Sequence, residues 1–510
     1  NQNINTGWCG YGGDRGWGYA ESPFGFAVAP NNSNKLLFSD FGFVHASSNG
    51  GVTWKQTYLN TTDQNPAGAT TPVFKNYRSN GLENTSSWNM LWSDATHIFT
   101  AFSDINGIKS DNAGVSWKMA GATTLNSTYY FLKHPSNGKI YVATSTVHDM
   151  YQTTYLTDAA IDAGDGDIMF STNNGTSWQQ VHDFNHPVIW LALDPNNLNR
   201  MYVSVIHYAN GVGEGGIWMT NDLQNNNTSI WTKLANPPRT QGHPLTIKVL
   251  NDGTLVCSYS GRRNVSGTFT NSSGIFKMNS GSSTWTDVSD AGMLYYTKDV
   301  VIDPHDAGQN KWYACVWSGW GGAPNGLGGL YTTTNRGQLW TKIFSGADRV
   351  SSITFSPTNA NEVWMTTETE GLWHSTNINA ATPSFSQITS YPFRQPERVF
   401  YNPYNSNELW VTSFGNGLKV ATLTSTVIEE INSSSISLFP NPAKDRFRIQ
   451  GLKFKVEKIE IVNMIGNKVM TAEVNNKPET EIDVKKLERG IYFVKLYASE
   501  KIVTKKIILE

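Results

Sequence analysis

The sequence predicts an all-β chain: a single β-propeller of eight blades, with seven as the alternative, then a small antiparallel β-sandwich. Three observations carry that expectation. A short pattern recurs through the first four hundred residues, and the segments around each copy alternate apolar and polar side chains as short strands do. Composition then shifts sharply near residue 430.

The pattern reads Ser/Thr-x-Asn-x-Gly-x-x-Trp. It occurs as SSNGGVTW (47–54), SDNAGVSW (110–117), STNNGTSW (171–178) and TTNRGQLW (333–340). Weaker copies end at Trp231 and Trp285, and a remnant ends at Phe385. Glycine supplies the backbone angles of a tight turn, while the Asn oxygen bonds nearby N–H groups. The Trp offers a large apolar area for packing between neighbouring units. Around the first copy, FGFAVAP, KLLFSD, FVHASS and VTWKQT read as four strands, the content of one propeller blade. Innermost strands are expected near Phe24, Trp88, Tyr129, Val188, Pro244, Lys298, Val350 and Arg398. The last unit has only three strands, and the stretch Ile4–Trp8 is the expected source of its missing outer strand.

Charge and aromatic usage divide the chain. Residues 434–510 hold 15 Lys and Arg against 10 Asp and Glu, whereas residues 1–433 hold 24 against 31. All 18 Trp lie in the front part. The expected organisation is a propeller over 1–423, a linker over 424–435 and a sandwich over 436–510. A formal net charge of −2 excludes a broad basic surface, and with it nucleic acid as a partner. Three cysteines without CxxC spacing argue against a disulfide framework or a zinc site, though one pair could still bridge, and Cys257 and Cys315 fall in adjacent predicted blades. No apolar run approaches the roughly 20 residues of a membrane span. The polar, Gly-rich start at Asn1 reads as that of a processed, exported chain.

These repeats resemble the Asp-box (BNR) repeats of sialidases, family 74 glycoside hydrolases and sortilin-type receptors, with Asn where most members carry Asp. The tail, with LFPNPA, IVNMIGNKV and GIYFVKL before a Lys-rich last strand, resembles the type A sorting domain of type IX secretion in Bacteroidota. That resemblance implies export through the type IX machinery and a secreted or cell-surface location.

Function is expected on the loops joining second to third strands, which gather on one face of a propeller. LLFSDFGFVHASSNGGVTW and TAFSDINGIKSDNAGVSW each place an aspartate, Asp40 and Asp104, at a strand end. NGLENTSSWNM, leading to Asp104, resembles the region before a catalytic aspartate in family 74 hydrolases, whose carboxylates act as acid and base. By that resemblance Asp40 and Asp104 are candidate carboxylates, with Glu368 as the alternative partner. Turn capping is the competing role for each aspartate. Sialidase chemistry finds arginines on the same loops (Arg239, Arg262, Arg263, Arg394, Arg398) but no Arg-Ile-Pro motif. His148, His182, His186, His207 and His243, with Tyr151 and Tyr208, could serve a polysaccharide lyase. The run DAAIDAGDGD (158–167) could hold Ca²⁺ through oxygen ligands; no other cofactor is indicated. Trp17, Tyr19, Trp317 and Trp320 sit among glycines and, with Tyr208, Arg239 and Arg262, are candidate platforms for sugar rings.

Two function classes remain open from the sequence. One is a secreted glycoside hydrolase using paired carboxylates on a polysaccharide. The other is a non-catalytic surface propeller that binds glycan or protein as an adhesin or scaffold.

Overall fold

A computed structural model describes residues 2–16, 22–150, 156–319, 323–423, 436–451, 456–464, 466–472, 480–498 and 501–510. The chain divides into two compact units, Asn1–Leu423 and Thr424–Glu510. Among the described residues, strands dominate and no helix is long and apolar enough to cross a membrane.

In the front unit, seven antiparallel sheets form a closed ring. Their innermost strands are Ser87–Trp92, Ser127–Lys133, Val188–Asp194, Pro244–Val249, Thr297–Ile302, Val350–Phe355 and Pro396–Asn402. Each packs against the next, and Pro396–Asn402 returns to Ser87–Trp92. We number these sheets blades 1 to 7 in that order. Closure is by hydrogen bonds: Ser87 Oγ donates to the Gly417 carbonyl at 2.7 Å, and Gly417 N–H donates to the Thr85 carbonyl at 2.7 Å. Trp410 of blade 7 meets Trp92 and Trp117 of blade 1 edge-on, at 6.2 and 6.1 Å between ring centres.

The expectation of eight blades is therefore corrected to seven. The first repeat unit does form a sheet, Gly25–Ala29, Asn32–Ser39, Val44–Ser47 and Trp54–Gln56, but it stands outside the ring. An innermost strand must be covered by its neighbours, whereas Phe24 and Phe26 are each 64% exposed. The N-terminal strand Ile4–Asn5 also differs from expectation. It pairs in parallel with Trp54–Gln56 in this outer sheet, and blade 7 keeps three strands. Trp8, Phe43, Tyr58 and Leu59 join the outer sheet to Phe102, Ile105 and Met119 of blade 1.

The repeated turns share one geometry. In SDNAGVSW, Ser110 Oγ accepts the Gly114 N–H at 2.9 Å and Asn112 Oδ1 accepts the Ser116 N–H at 2.9 Å. Ser47/Asn49 and Ser171/Asn173 repeat these bonds, and Thr333/Asn335 do so at 3.2 and 3.0 Å. The turn glycines Gly51, Gly114, Gly175 and Gly337 have φ between +69° and +88°, a region that side chains resist. Three of the pattern tryptophans reach back to the preceding blade: Trp178, Trp285 and Trp340 donate to the carbonyls of Ala120, Ala235 and Val288.

All seven innermost strands carry a β-bulge near their start, between Ser87/Asn89, Thr128/Tyr130, Val188/Trp190, Pro244/Ile247, Thr297/Asp299, Val350/Ser352 and Pro396/Arg398. In the outer sheet the equivalent strand slips at its other end, between Val28 and Ala29. A bulge re-aims side chains, and here it turns residues from non-adjacent blades toward one another. Lys298 of blade 5 lies 3.6 Å from Glu397 of blade 7, and Arg398 of blade 7 stacks 5.0 Å from the ring of Trp190 in blade 3. Lys298 and Glu397 are both buried there.

The second unit holds two sheets. One contains Ser437–Phe439, Arg446–Gln450 and Thr480–Asp483, and the other Lys458–Asn463, Lys468–Ala472, Gly490–Ala498 and Lys501–Leu509. Phe447 and Ile449 of the first pack with Ile461, Val494 and Ile507 of the second, the arrangement of a β-sandwich.

Candidate active site

The loop face brings Asp104, His148 and Asp149 together, with one donor atom of each inside a 4.8 Å group. Asp104 ends the turn after the blade 1 strand Ile98–Phe102, and Asp149 lies just beyond the blade 2 strand Ile140–Ser145. Both have positive φ, +65° and +49°, in a region that non-glycine residues occupy only when their surroundings fix them. Those surroundings are visible. Ile105 N–H donates to the Ser103 carbonyl at 2.8 Å, and Asn106 Nδ2 donates to the Thr123 carbonyl at 2.8 Å. Ser103 Oγ accepts the Asp149 N–H at 3.1 Å, and buried Tyr129 bridges the Val147 carbonyl and the Met150 N–H.

The electrostatics set the two carboxylates apart. Burial, then the neighbouring Asp149, push the Asp104 carboxyl above its ordinary range, against the pull of His148, Asn126 and Arg15. The hydrogen bond from His148 Nδ1 to Asp149 Oδ2, 2.9 Å long, raises the imidazole's proton affinity. Such a group can deliver a proton from Asp104 beside a second carboxylate. The same two carboxylates and imidazole are also a donor set that could hold a divalent cation.

Sequence reasoning found Asp104 and His148 but not Asp149, which carries no motif; its only signal is its place beside His148. Several expected site residues are corrected. Asp40 lies in the outer sheet with its side chain fully buried. One of its oxygens accepts the N–H groups of Gly42 and Phe43 at 2.8 and 2.6 Å, and the other meets His45 Nε2 at 2.6 Å. It caps its own turn. Glu368 is buried, ion-paired to Arg349, and accepts Gln395 Nε2 at 2.8 Å. Trp317 is 1% exposed and packs on Tyr296 beneath Lys298, so it is core, not platform. Arg239 pairs with Asp287 at 2.7 Å and donates to backbone carbonyls.

Arg262 and Tyr208 are brought together, but with each other. The guanidinium lies 3.9 Å from the Tyr208 ring centre and pairs with Asp158 at 2.5 Å, tying the loops of blades 2, 3 and 4. The four aspartates of 158–167 diverge. Asp158 serves Arg262, Asp162 accepts the N–H groups of Tyr208 and Ala209, Asp165 bonds Gly166 and Asp167 bonds Thr144. They form no shared calcium cage. His186 and His207 stack at 3.7 Å; burial and then His207 lower the proton affinity of His186. Burial drives His243 down to about 4. Cys9, Cys257 and Cys315 are free and buried. Trp17, Tyr19, Trp320 and Tyr151 lie outside the described residues.

No curated protein sequence matches the chain. Among solved structures, the chain is similar to YCF48 from Cyanidioschyzon merolae, at 12% identity over 70% of this chain and 100% of that one, with a TM-score of 0.46. It is also similar to a GH74 xyloglucanase from Xanthomonas campestris, at 10% identity over 94% of this chain and 86% of that one, with a TM-score of 0.44. An ancestral GH74 enzyme shares 16% identity over 96% of this chain and 62% of its own length, with a TM-score of 0.45. Residues 437–510 match the family of secretion system C-terminal sorting domains, so the propeller is joined to a sorting domain that marks the protein for secretion to the surface or the exterior.

Proposed function

We propose that this propeller is a secreted or cell-surface carbohydrate-active enzyme, a glycoside hydrolase whose working carboxylates are Asp104 and Asp149. The observation that carries the reading is their approach: donor oxygens within a 4.8 Å group, on the loop face, one carboxyl with raised proton affinity. Asp104 protonates the glycosidic oxygen as the leaving group departs. Asp149 attacks the anomeric carbon to form a glycosyl ester, and Asp104 then takes a proton from the water that hydrolyses it. With donor atoms no more than 4.8 Å apart, the pair is closer than the roughly 6.5–9.5 Å that leaves room for an inverting water, which favours retention.

The test is reducing-end release from a polysaccharide panel that includes xyloglucan, comparing the native chain with Asp104→Asn and Asp149→Asn. Release lost in both variants, with neither melting below the native protein, supports the reading. A second reading, a non-catalytic glycan- or protein-binding propeller, is favoured by the Arg262 clamp, which stiffens three face loops into one surface. Retention of the native chain on a polysaccharide gel without any release would select it.

A further inference from the structure

A second ligand site lies away from the Asp104 cluster. Between the segment that leads from the outer sheet into blade 1 and blades 1 and 7 is a cavity of about 530 Å³, within the usual range for small-molecule sites. Its walls include Trp8, Tyr77, Trp117, Phe393 and Trp410, and its lining is more apolar than polar. Ile105 lines it, while its sequence neighbour Asp104 joins His148 and Asp149 in the separate cluster.

The charged groups around the cavity have partners within the protein, two of them in ion pairs. Arg78 pairs with Asp63 at 2.7 Å, Lys118 with Asp111 at 2.6 Å, and Lys75 donates to Asp63 O and Asn65 Oδ1 at 2.8 Å each. Asp14 accepts the Phe74 N–H at 2.9 Å beside Arg15. Lys419 donates to the Asn416 carbonyl at 3.1 Å and lies 5.0 Å from the Phe393 ring centre. Glu83 Oε2 accepts the Ser79 hydroxyl at 2.6 Å. Each charged head is thus engaged by the protein itself. What remains is a set of flat aromatic walls with the Glu83 carboxyl and Asn416, whose buried Oδ1 has no partner, as hydrogen-bonding groups. Aromatic faces stack on the C–H faces of pyranose rings while carboxylates and amides bond their hydroxyls.

We propose that this cavity binds a neutral sugar unit, stacked on its aromatic wall and hydrogen-bonded by Glu83. The site does not depend on the hydrolase reading, because none of its lining residues belongs to the Asp104–His148–Asp149 cluster. The test is saturation-transfer NMR and calorimetry with cellobiose, galactose and xylose, with tetramethylammonium and glucuronate as charged controls. Three variants accompany the full chain. Glu83→Gln removes the carboxylate; Val115→Trp, at an exposed rim position, fills the cavity; and Asp104→Asn disables only the other site. Saturable binding of a neutral sugar, weakened at least tenfold by Glu83→Gln, abolished by Val115→Trp and unchanged by Asp104→Asn, supports the proposal. Binding that survives both cavity variants, binding of a charged control alone, or no binding overturns it.

Discussion

Arg398 of blade 7 reaches past blade 6 to Asp299 of blade 5, with its guanidinium 2.6 Å from the carboxylate and Ser352 Oγ of the intervening blade bonded to the same oxygen at 2.8 Å. Three consecutive blades are locked through one buried carboxylate. Lys248 of blade 4 adds a further attraction to it.

That lock predicts how the ring fails. Arg398→Met removes the ion-pair partner of buried Asp299, and breaking a buried pair this way costs about 3–5 kcal/mol. The variant melts well below the native protein in thermal denaturation. Burial opposes ionisation of Asp299, but Arg398 and Lys248 outweigh it and hold the carboxyl below its ordinary range. A depressed carboxylate adds stability above its unfolded value, about 3.9, and loses it as pH falls through the lower folded value. The native melting temperature therefore drops on acidification below pH 4, and Asp299→Asn flattens that drop. An unflattened profile refutes the assignment.

Asp104 predicts the opposite sign. Its folded value is raised, first by burial, so its contribution to stability is present in acid and is lost as pH rises through that value. At pH 7 Asp104→Asn should melt higher than the native protein while hydrolysis falls about 10²–10⁴-fold, the loss expected for a general acid. NMR of early product should show retained anomeric configuration; inversion would separate Asp104 from Asp149 as a working pair.

Asp40 is expected to matter for folding alone. Asp40→Ala frees two buried N–H groups and His45, a loss of about 1–3 kcal/mol. Specific activity per folded molecule, measured on material corrected for its unfolded fraction, should equal that of the native protein.

The tryptophans of the repeat divide by position. Trp340, whose indole donates to the Val288 carbonyl of the preceding blade at 2.7 Å, should cost about 3–5 kcal/mol on replacement by alanine. Gly337→Ala adds a Cβ 2.8 Å from that of Val288 at a φ of +84°, so it should destabilise the same interface. Chemical denaturation of both variants against native protein checks the pair.

Glu83 predicts a pH signature at the cavity. Burial pushes its carboxyl up to about 7, so its stabilising proton is retained in acid and lost as pH rises from the unfolded value, about 4.3, through 7. Melting temperature should decline across that window in the native protein and decline less in Glu83→Gln.

The repeat was legible because its chemistry is local: Ser110, Asn112 and Gly114 build their turn from side chains within four residues of one another. Ring membership was not legible, because the outer sheet has the same turn at Ser47–Trp54 and differs only in what covers Gly25–Ala29. The carboxylate pair was half legible. Asp104 sits in a recurring strand-end pattern, while Asp149 meets it only because two different loops adopt positive φ at facing positions. Asp40 shares the pattern of Asp104 but lacks an open face, and sequence alone does not distinguish an aspartate that caps a turn from one that leaves it.

The slipped registers at the head of all seven innermost strands supply the ring's interior with side chains that the strand ladders do not use. At six of them the added residue, from Trp88 in blade 1 to Glu397 in blade 7, has no partner opposite it in the ladder. Exchange at these positions leaves strand pairing intact. All six are buried, from Ser351 at 0% to Lys298 at 9% exposed, so what can change without disturbing the ladders is the ring's interior and not its surface.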